Sequence, residues 1–311
     1  MKRFLVTGGA GFIGSHLVRA LHRAGHTTVV VDDLSTGLRE NLSDVDTDLL
    51  VGSILDDGIL DKAASGCDGI FHLAALVSVQ DSVNNWQFGH SVNLGGTIKV
   101  FEAANAAGGI PVVYASSAAV YGNQSGVVCH EVNTLPLPIS PYGADKLGCE
   151  HQARAFAEVH GVASFGLRFF NVYGPGQVAN SPYSGVISKF TKNAVEGIPH
   201  TVFGDGQQTR DFIFVADIVA GIQAAMAELE DSSESHVSNL CTGTACSLLD
   251  LIDTLDSLRQ GSGNNVTFEP ARSGDVMHSL GSNEKMSKVL GVIPKTSLRD
   301  GLSAVLAATD K

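Results

Sequence analysis

The chain has 311 residues, enough to bury a large core as one big α/β domain or as two lobes. Its 32 acidic side chains against 20 basic ones, a formal net charge of −12, argue against a nucleic-acid partner, which needs clustered Lys and Arg. No apolar run approaches the roughly 20 residues of a membrane helix, and no signal peptide precedes the first strand, so the expectation is a cytoplasmic protein that engages no membrane.

Phe4 to Val6 form a short apolar run of strand length. They lead into Gly8, Gly9, Gly11 and Gly14, after which Phe12 to Leu21 carry apolar residues at helical spacing. Strand, glycine turn and helix N-terminus in that order make a phosphate site, where free amides and the positive dipole end meet an anion. A second apolar strand, Thr27 to Val31, ends in Asp32, placed to accept hydrogen bonds from the ribose hydroxyls of NAD. Asp32 and Asp33 together disfavour the 2′-phosphate of NADP, and the cofactor expected is NAD.

A polar loop follows, then a strand at Leu49 to Val51 and a short helix at Ile59 to Ala64. Gly69 to Leu73 is a fourth strand that delivers the small residues Ala74 and Ala75 to the cofactor. Val92 to Ala107 is expected as one helix and Val112 to Ser117 as a fifth strand. This alternation predicts βαβ crossovers and a doubly wound parallel sheet covered on both faces, with chemistry beyond the carboxyl ends of the strands. Residues 122 to 141 read as a long functional loop. A helix starts near Pro141, with Ser140 as its N-cap, and runs to about His160; Ala163 to Phe169 is the sixth strand. Beyond it Gly and Pro become frequent, which suggests a smaller second lobe. The boundaries are 1–171 for the dinucleotide domain and 172–311 for the lobe, with the segment near 211–240 a candidate to return to the sheet. A last helix covers Leu298 to Ala308. The five cysteines, at 67, 129, 149, 241 and 246, contain no CxxC and read as reduced, mostly buried thiols. No His cluster with ligand spacing accompanies them, so no metal site is expected.

Tyr142 and Lys146 lie four residues apart, on one face of the helix that begins at Pro141. An ammonium beside a phenol favours the phenolate, which makes Tyr142 a usable general base. Such a pair is commonly no more than a solvated contact. Here Ser117 ends the fifth strand on the face where the glycine loop would lay the nicotinamide, and the three can deprotonate an alcohol while its hydride passes to NAD.

At these residues the chain resembles the extended short-chain dehydrogenase/reductases, specifically the nucleotide-sugar 4-epimerases. The resemblance runs through TGGAGFIG (7–14), DDLSTG (32–37), FHLAA (71–75), SSAAVYG (116–122), PYGADK (141–146), LRFFNVYGPGQ (167–177), FGDGQQTRDF (203–212) and RSGDVMHS (272–279), nearly the whole chain. It implies a Rossmann domain with a smaller α/β lobe for the nucleotide sugar. It makes Tyr142 the base, Lys146 its electrostatic partner and ribose anchor, and Ser117 the shuttle to the sugar O4. Gly8, Gly11, Phe12, Ile13 and Gly14 become the pyrophosphate loop. Asp32, Asp33, Ser35, Thr36 and Gly37 hold the adenosine end, where Ser53, beside Ile54, replaces a frequent Asp. Leu73, Ala74, Ala75, Ser116 and Phe169 complete the cofactor set, and Asn93 supports the active-site helix.

Toward the substrate the same resemblance places Ser78, Ala118, Asn171, Val186 and Phe203, with Arg210, Arg272 and Asp275 holding the diphosphate and ribose of UDP. On charge alone the two arginines read equally well as surface salt bridges. Related 4,6-dehydratases carry an Asp–Glu pair after the serine, and UDP-glucuronate decarboxylases a Glu at the second position. Ala118 and Ala119 stand there instead, and methyl groups do no acid–base work. Ser279 matches the gatekeeper position whose small side chain leaves room at C2. The implied activity is C4 epimerisation of a UDP-hexose through a transient 4-keto sugar, on UDP-GlcNAc/UDP-GalNAc and also, under dual specificity, UDP-Glc/UDP-Gal. The alternatives are another nucleotide-sugar oxidoreductase or dehydratase, or an idle NAD-binding regulator. The family is commonly homodimeric through a four-helix interface, for which helices 93–107 and 141–160 are the candidates.

Overall fold

The structure is a computed structural model that describes residues 1–124, 126–178, 185–230, 232–259, 266–271 and 276–309. A seven-stranded sheet forms its centre. Its first six strands in the chain are β1 (Arg3–Thr7), β2 (Thr27–Asp32), β3 (Asp48–Val51), β4 (Gly69–His72), β5 (Val112–Ser117) and β6 (Ser164–Phe169). The seventh, Ser235–Leu240, pairs with β6, giving the spatial order 235–240, β6, β5, β4, β1, β2, β3. All neighbours are parallel.

The strands read as continuous apolar runs because both faces are covered. Phe4, Val6, Val30 and Phe71 point to one side, against the helices Phe12–Arg23 and Val215–Glu228. Leu5, Val31, Ile70 and Val112 point to the other, against Ile59–Ala64, Gly96–Ala106 and Pro141–His160. Strand order reverses between β1 and β4, and such a reversal opens a crevice at the strands' carboxyl ends. Thr7, His72, Ser117 and Phe169 end their strands on that side, with Ser117 and Phe169 paired in register.

The helix expected over 92–107 is present as the end of a helical run from Trp86 to Ala106, with one irregular turn inside it. Residues Ser91–Gly95 form a wider π turn, and the α-helix begins at Gly96. The cause is Asn93, whose carboxamide turns inward to grip the Leu76 backbone, accepting from its amide at 2.8 Å and donating to its carbonyl at 3.3 Å. Two short helices not foreseen, Val79–Asn84 and Trp86–His90, precede it. After β6 the chain builds a second cluster, in which the helices Val186–Glu196, Leu248–Leu258 and Leu298–Thr309 bury Phe190, Leu251, Leu255 and Leu302. Strand Phe212–Phe214 pairs with Asn171–Tyr173 outside the main sheet. Of the five cysteines, all free, only Cys246 is more than marginally exposed. Among the described residues no helix is long and apolar enough to cross a membrane.

Candidate active site

The glycine turn is shaped by close approach. Gly8 has φ +70°, and a Cβ there would lie 2.7 Å from the Ala74 amide nitrogen. At Gly14 a Cβ would run into the Gly8 carbonyl oxygen and sit 2.7 Å from Gly9 Cα. Helix Phe12–Arg23 starts at Gly11 with no side-chain cap and no acidic residue in its first turn. Its first amides, on Phe12, Ile13 and Gly14, therefore face the crevice with the positive end of the dipole. Asp32 is 6 % exposed and its carboxylate accepts from the amides of Ala10 and Leu34, both at 2.9 Å. Burial raises its pKa above the usual carboxylate range, while those amides pull it back.

Gly37 packs onto the same carboxylate, and Leu34 takes the left-handed conformation, φ 58°, to turn the loop there. Ser35 is held by Asp33, its hydroxyl donating at 2.6 Å. Thr36 lies in the same turn, exposed. Ser53 is occupied locally, its hydroxyl accepting from the Leu55 amide at 3.1 Å and its amide bound to Asp56. Ile54 is buried against Gly96. Leu73, Ala74 and Ala75 run half-buried from β4 under the glycine turn. An uncapped helix end, a cradle that any Cβ would fill and a buried carboxylate at the tip of β2 fit a dinucleotide.

Ser117 lies at the tip of β5 and its hydroxyl oxygen accepts from the Ala119 amide at 3.1 Å, which leaves its proton free to donate. Ala118–Tyr121 form a 3₁₀ turn, and Gly143 lets the next helix press onto it, its missing Cβ 2.6 Å from the Ala119 carbonyl oxygen. Ser140 caps that helix by accepting from the Gly143 amide at 3.1 Å, with Pro141 in the first turn. Tyr142 thus stands next to the Ser117–Ala119 turn. Lys146 is 3 % exposed; its Nζ donates to the Ala115 carbonyl at 2.8 Å and sits 5.7 Å from the Tyr142 ring centre. Two further N–H groups of that ammonium remain for a phenolate and a ribose.

Behind the tip of β5 is a charged cluster that the sequence reading missed. Glu150, one turn beyond Lys146, accepts from Ser116 at 2.5 Å and from Arg168 Nε and Nη2 at 2.9 and 2.7 Å. Arg168 also donates to the Tyr121 hydroxyl at 2.8 Å, and Tyr121 donates to Asn239 at 2.7 Å on the seventh strand. Arg168 and Glu150 are 4 % and 7 % exposed. A Glu four residues after Lys146 and an Arg inside an apolar strand were the available signal.

The second cluster brings several of the expected substrate residues near one another. Asn171 opens the strand paired with Phe212–Phe214. Arg210 lies on a two-residue strand beside Thr209, whose amide donates to Met277 O at 2.9 Å; the Ser279 amide returns to Thr209 O at 3.1 Å. Ser279 and Arg210 are thereby neighbours across a backbone ladder. Asp211, fully buried, ties this junction by accepting from the amides of Thr242 and Gly243 at 2.8 and 2.9 Å. Phe203 ends a short half-buried strand, and Val186 starts a helix packed on the cluster's core. Ser78 is engaged as the N-cap of Val79–Asn84, accepting from the Asp81 amide at 2.9 Å. Arg272 and Asp275 lie outside the described residues. His16 of the first helix bonds the Pro175 carbonyl at 2.9 Å, linking the glycine-turn helix to the chain beyond β6.

A parallel sheet with a glycine turn at its strand-order switch, and a Ser–Tyr–Lys set at the neighbouring strand tip, define an NAD-dependent enzyme of the extended short-chain dehydrogenase/reductase class. Residues 4–241 match the model of the NAD dependent epimerase/dehydratase family, and the chain belongs to that family. It is 35 % identical over 309 residues to a UDP-glucose 4-epimerase of Mycolicibacterium smegmatis, covering 97 % of this chain and 96 % of the relative. Among solved structures it is similar to a UDP-N-acetylglucosamine 4-epimerase of Methanobrevibacter ruminantium M1 in complex with UDP-N-acetylmuramic acid. The TM-score is 0.93 at 32 % identity, over 99 % of this chain and 98 % of that one. A Thermotoga maritima UDP-glucose 4-epimerase with UDP-glucose gives 0.92, at the same identity and coverage.

Proposed function

We propose that the chain interconverts the C4 epimers of UDP-hexoses, with the N-acetylated pair UDP-GlcNAc/UDP-GalNAc preferred and UDP-Glc/UDP-Gal also admitted. The observation that carries this reading is the tip of β5: Ser117 and the Tyr142–Lys146 helix meet over a turn whose next residues are Ala118 and Ala119. That turn has what alcohol oxidation needs and lacks the carboxyl groups that expelling water requires.

The glycine turn, Asp32 and Ala74 would hold NAD, which would supply reversible hydride acceptance at the sugar carbon. Tyr142 takes the proton of the C4 hydroxyl and gives it back, and Ser117, whose proton is not spent on the Ala119 amide, donates to O4. Lys146 holds its ammonium beside the Tyr142 ring, where it offsets negative charge on the phenol oxygen as the proton moves. Arg210 holds the diphosphate at a distance from the reacting carbon, so that binding energy is retained while the ring turns. Ser279, beside Arg210, leaves room for an N-acetyl group. Two copies of the chain would pair through the long helix Pro141–His160 and its neighbour Gly96–Ala106.

The test incubates purified protein with UDP-GlcNAc and with UDP-Gal, without added nucleotide, and resolves the epimers. Interconversion that disappears in Tyr142→Phe is the expected result. Equal inactivity of both proteins on every UDP-sugar, or a lasting build-up of reduced cofactor or dehydrated product, overturns the reading.

A further inference from the structure

His72 closes β4, 3 % exposed in a strand that is otherwise apolar, and has no part in the chemistry of Tyr142 and Lys146. Its Nδ1 lies 2.7 Å from Thr7 Oγ1 at the tip of β1, and its Nε2 lies 3.0 Å from Thr97 Oγ1 on helix Gly96–Ala106. The directions of these bonds follow from counting protons. Thr97 already donates its hydroxyl proton to the Asn93 carbonyl at 2.6 Å, so toward His72 its oxygen can only accept. Nε2 therefore carries a proton, and in the neutral ring Nδ1 is a lone pair to which Thr7 donates. With its proton committed, Thr7 Oγ1 accepts from the Ala74 amide at 3.3 Å.

The ring is thus held at both nitrogens. Burial, reinforced by the charge of Lys146, keeps its pKa down at about 3, so no proton enters at working pH.

Both ends of this chain of bonds are functional. At one end is Ala74, whose amide lies under the Gly8 turn of the dinucleotide cradle. At the other is Asn93, which holds Leu76 through its side chain. Cys149, on the same helix as Tyr142 and Lys146, shares its one thiol proton between Thr97 Oγ1 at 3.3 Å and the Asn93 carbonyl at 3.4 Å. We propose that His72 is a positioning residue, a neutral strut that sets the height of Ala74 beneath the dinucleotide and, through Thr97 and Asn93, the seat of the Tyr142–Lys146 helix. Cofactor binding and proton transfer then share one support, in two separable halves.

Because the halves are separable, four substitutions divide them. An asparagine oxygen can replace Nδ1 and a glutamine amide can replace Nε2, so His72→Asn spares the Thr7–Ala74 half and His72→Gln spares the Thr97–Asn93 half. Thr7→Val and Thr97→Val break the same halves at nearly constant volume, and they decide the matter if the His72 variants do not fold. The measurements are the dissociation constant of NAD for NAD-stripped protein, by calorimetry, and kcat on UDP-galactose at saturating NAD. Thr7→Val and His72→Gln should weaken NAD by at least about tenfold, the effect of one buried hydrogen bond, with kcat within about threefold of wild type. Thr97→Val and His72→Asn should lower kcat by at least about tenfold, with NAD affinity within about threefold. Four variants that move both quantities together, or neither, overturn the proposal. Only the kcat arm rests on the epimerase reading. A wild type with no turnover refutes that reading, and the NAD affinities of the two valine variants still decide this one.

Discussion

The buried pair behind Ser116 makes a demanding stability prediction. Glu150→Gln keeps the shape but removes the negative charge that faces Arg168. The carboxylate accepts three hydrogen bonds, one from Ser116 and two from Arg168. A carboxamide has a single acceptor oxygen, and its NH₂ would meet an Arg168 N–H head on. The guanidinium, 4 % exposed, would keep the Tyr121 hydroxyl and at most the one carboxamide oxygen, and would lose the neutralising charge. Breaking a buried pair on one side costs about 3–5 kcal/mol, because the surviving charge is left without compensation. With a urea slope of about 3 kcal/mol per M, the unfolding midpoint followed by far-UV circular dichroism should fall by roughly 1–1.7 M. Replacing both partners, Glu150→Leu with Arg168→Met, orphans neither charge and should come within about 2 kcal/mol of wild type. The reasoning is refuted if Glu150→Gln costs under about 1 kcal/mol, or if the double variant loses as much as the two single ones added together.

Three further outcomes are expected. Gly14→Ala should lower NAD affinity by roughly 5- to 150-fold, the ~1–3 kcal/mol of an overpacked contact, since its Cβ meets the Gly8 carbonyl; calorimetry on NAD-stripped protein reads this. For His72 the folded pKa, about 3, lies below the unfolded value near 6.5, so the unfolded chain binds the extra proton in between and stability falls with pH there. Between pH 7.5 and 5.5 wild type should therefore lose about 1.4 kcal/mol relative to His72→Gln, measured by urea midpoints; parallel pH profiles would contradict it. Ser279→Tyr should abolish turnover of UDP-GlcNAc while sparing UDP-galactose, and equal rates on both would remove Ser279 from substrate selection.

How much of this was legible in the sequence depends on the range of the interaction. The Ser140 cap with Pro141 after it, the glycine turn before Phe12 and the apolar strands are local signals, and the structure has each of them where the spacing puts it. The π turn at Ser91–Gly95 was not legible, because a helical pattern continues through it and its cause is the Leu76 backbone, 17 residues away. Ser78, a sugar contact by resemblance, is also the cap of Val79–Asn84, its oxygen accepting from the Asp81 amide while its proton is left to donate, and no sequence pattern announced that short helix. Arg210 reads equally well as surface charge or as ligand, and it is the ladder from Met277 to Ser279 that sets it beside the gatekeeper position.

By itself the sequence determined the parallel α/β class and the glycine turn that suits NAD, since each follows from neighbours within a few turns of chain, and it singled out Ser117, Tyr142 and Lys146 as the candidate set. Tertiary structure alone decided that Ser235–Leu240 completes the sheet beside β6, that Glu150 finds Arg168, and that His72 joins Thr7 to Thr97. Those pairings satisfy charges and polar groups that burial has cut off from water. Which distant group supplies the partner depends on how the strands are ordered, and residue spacing does not carry that order.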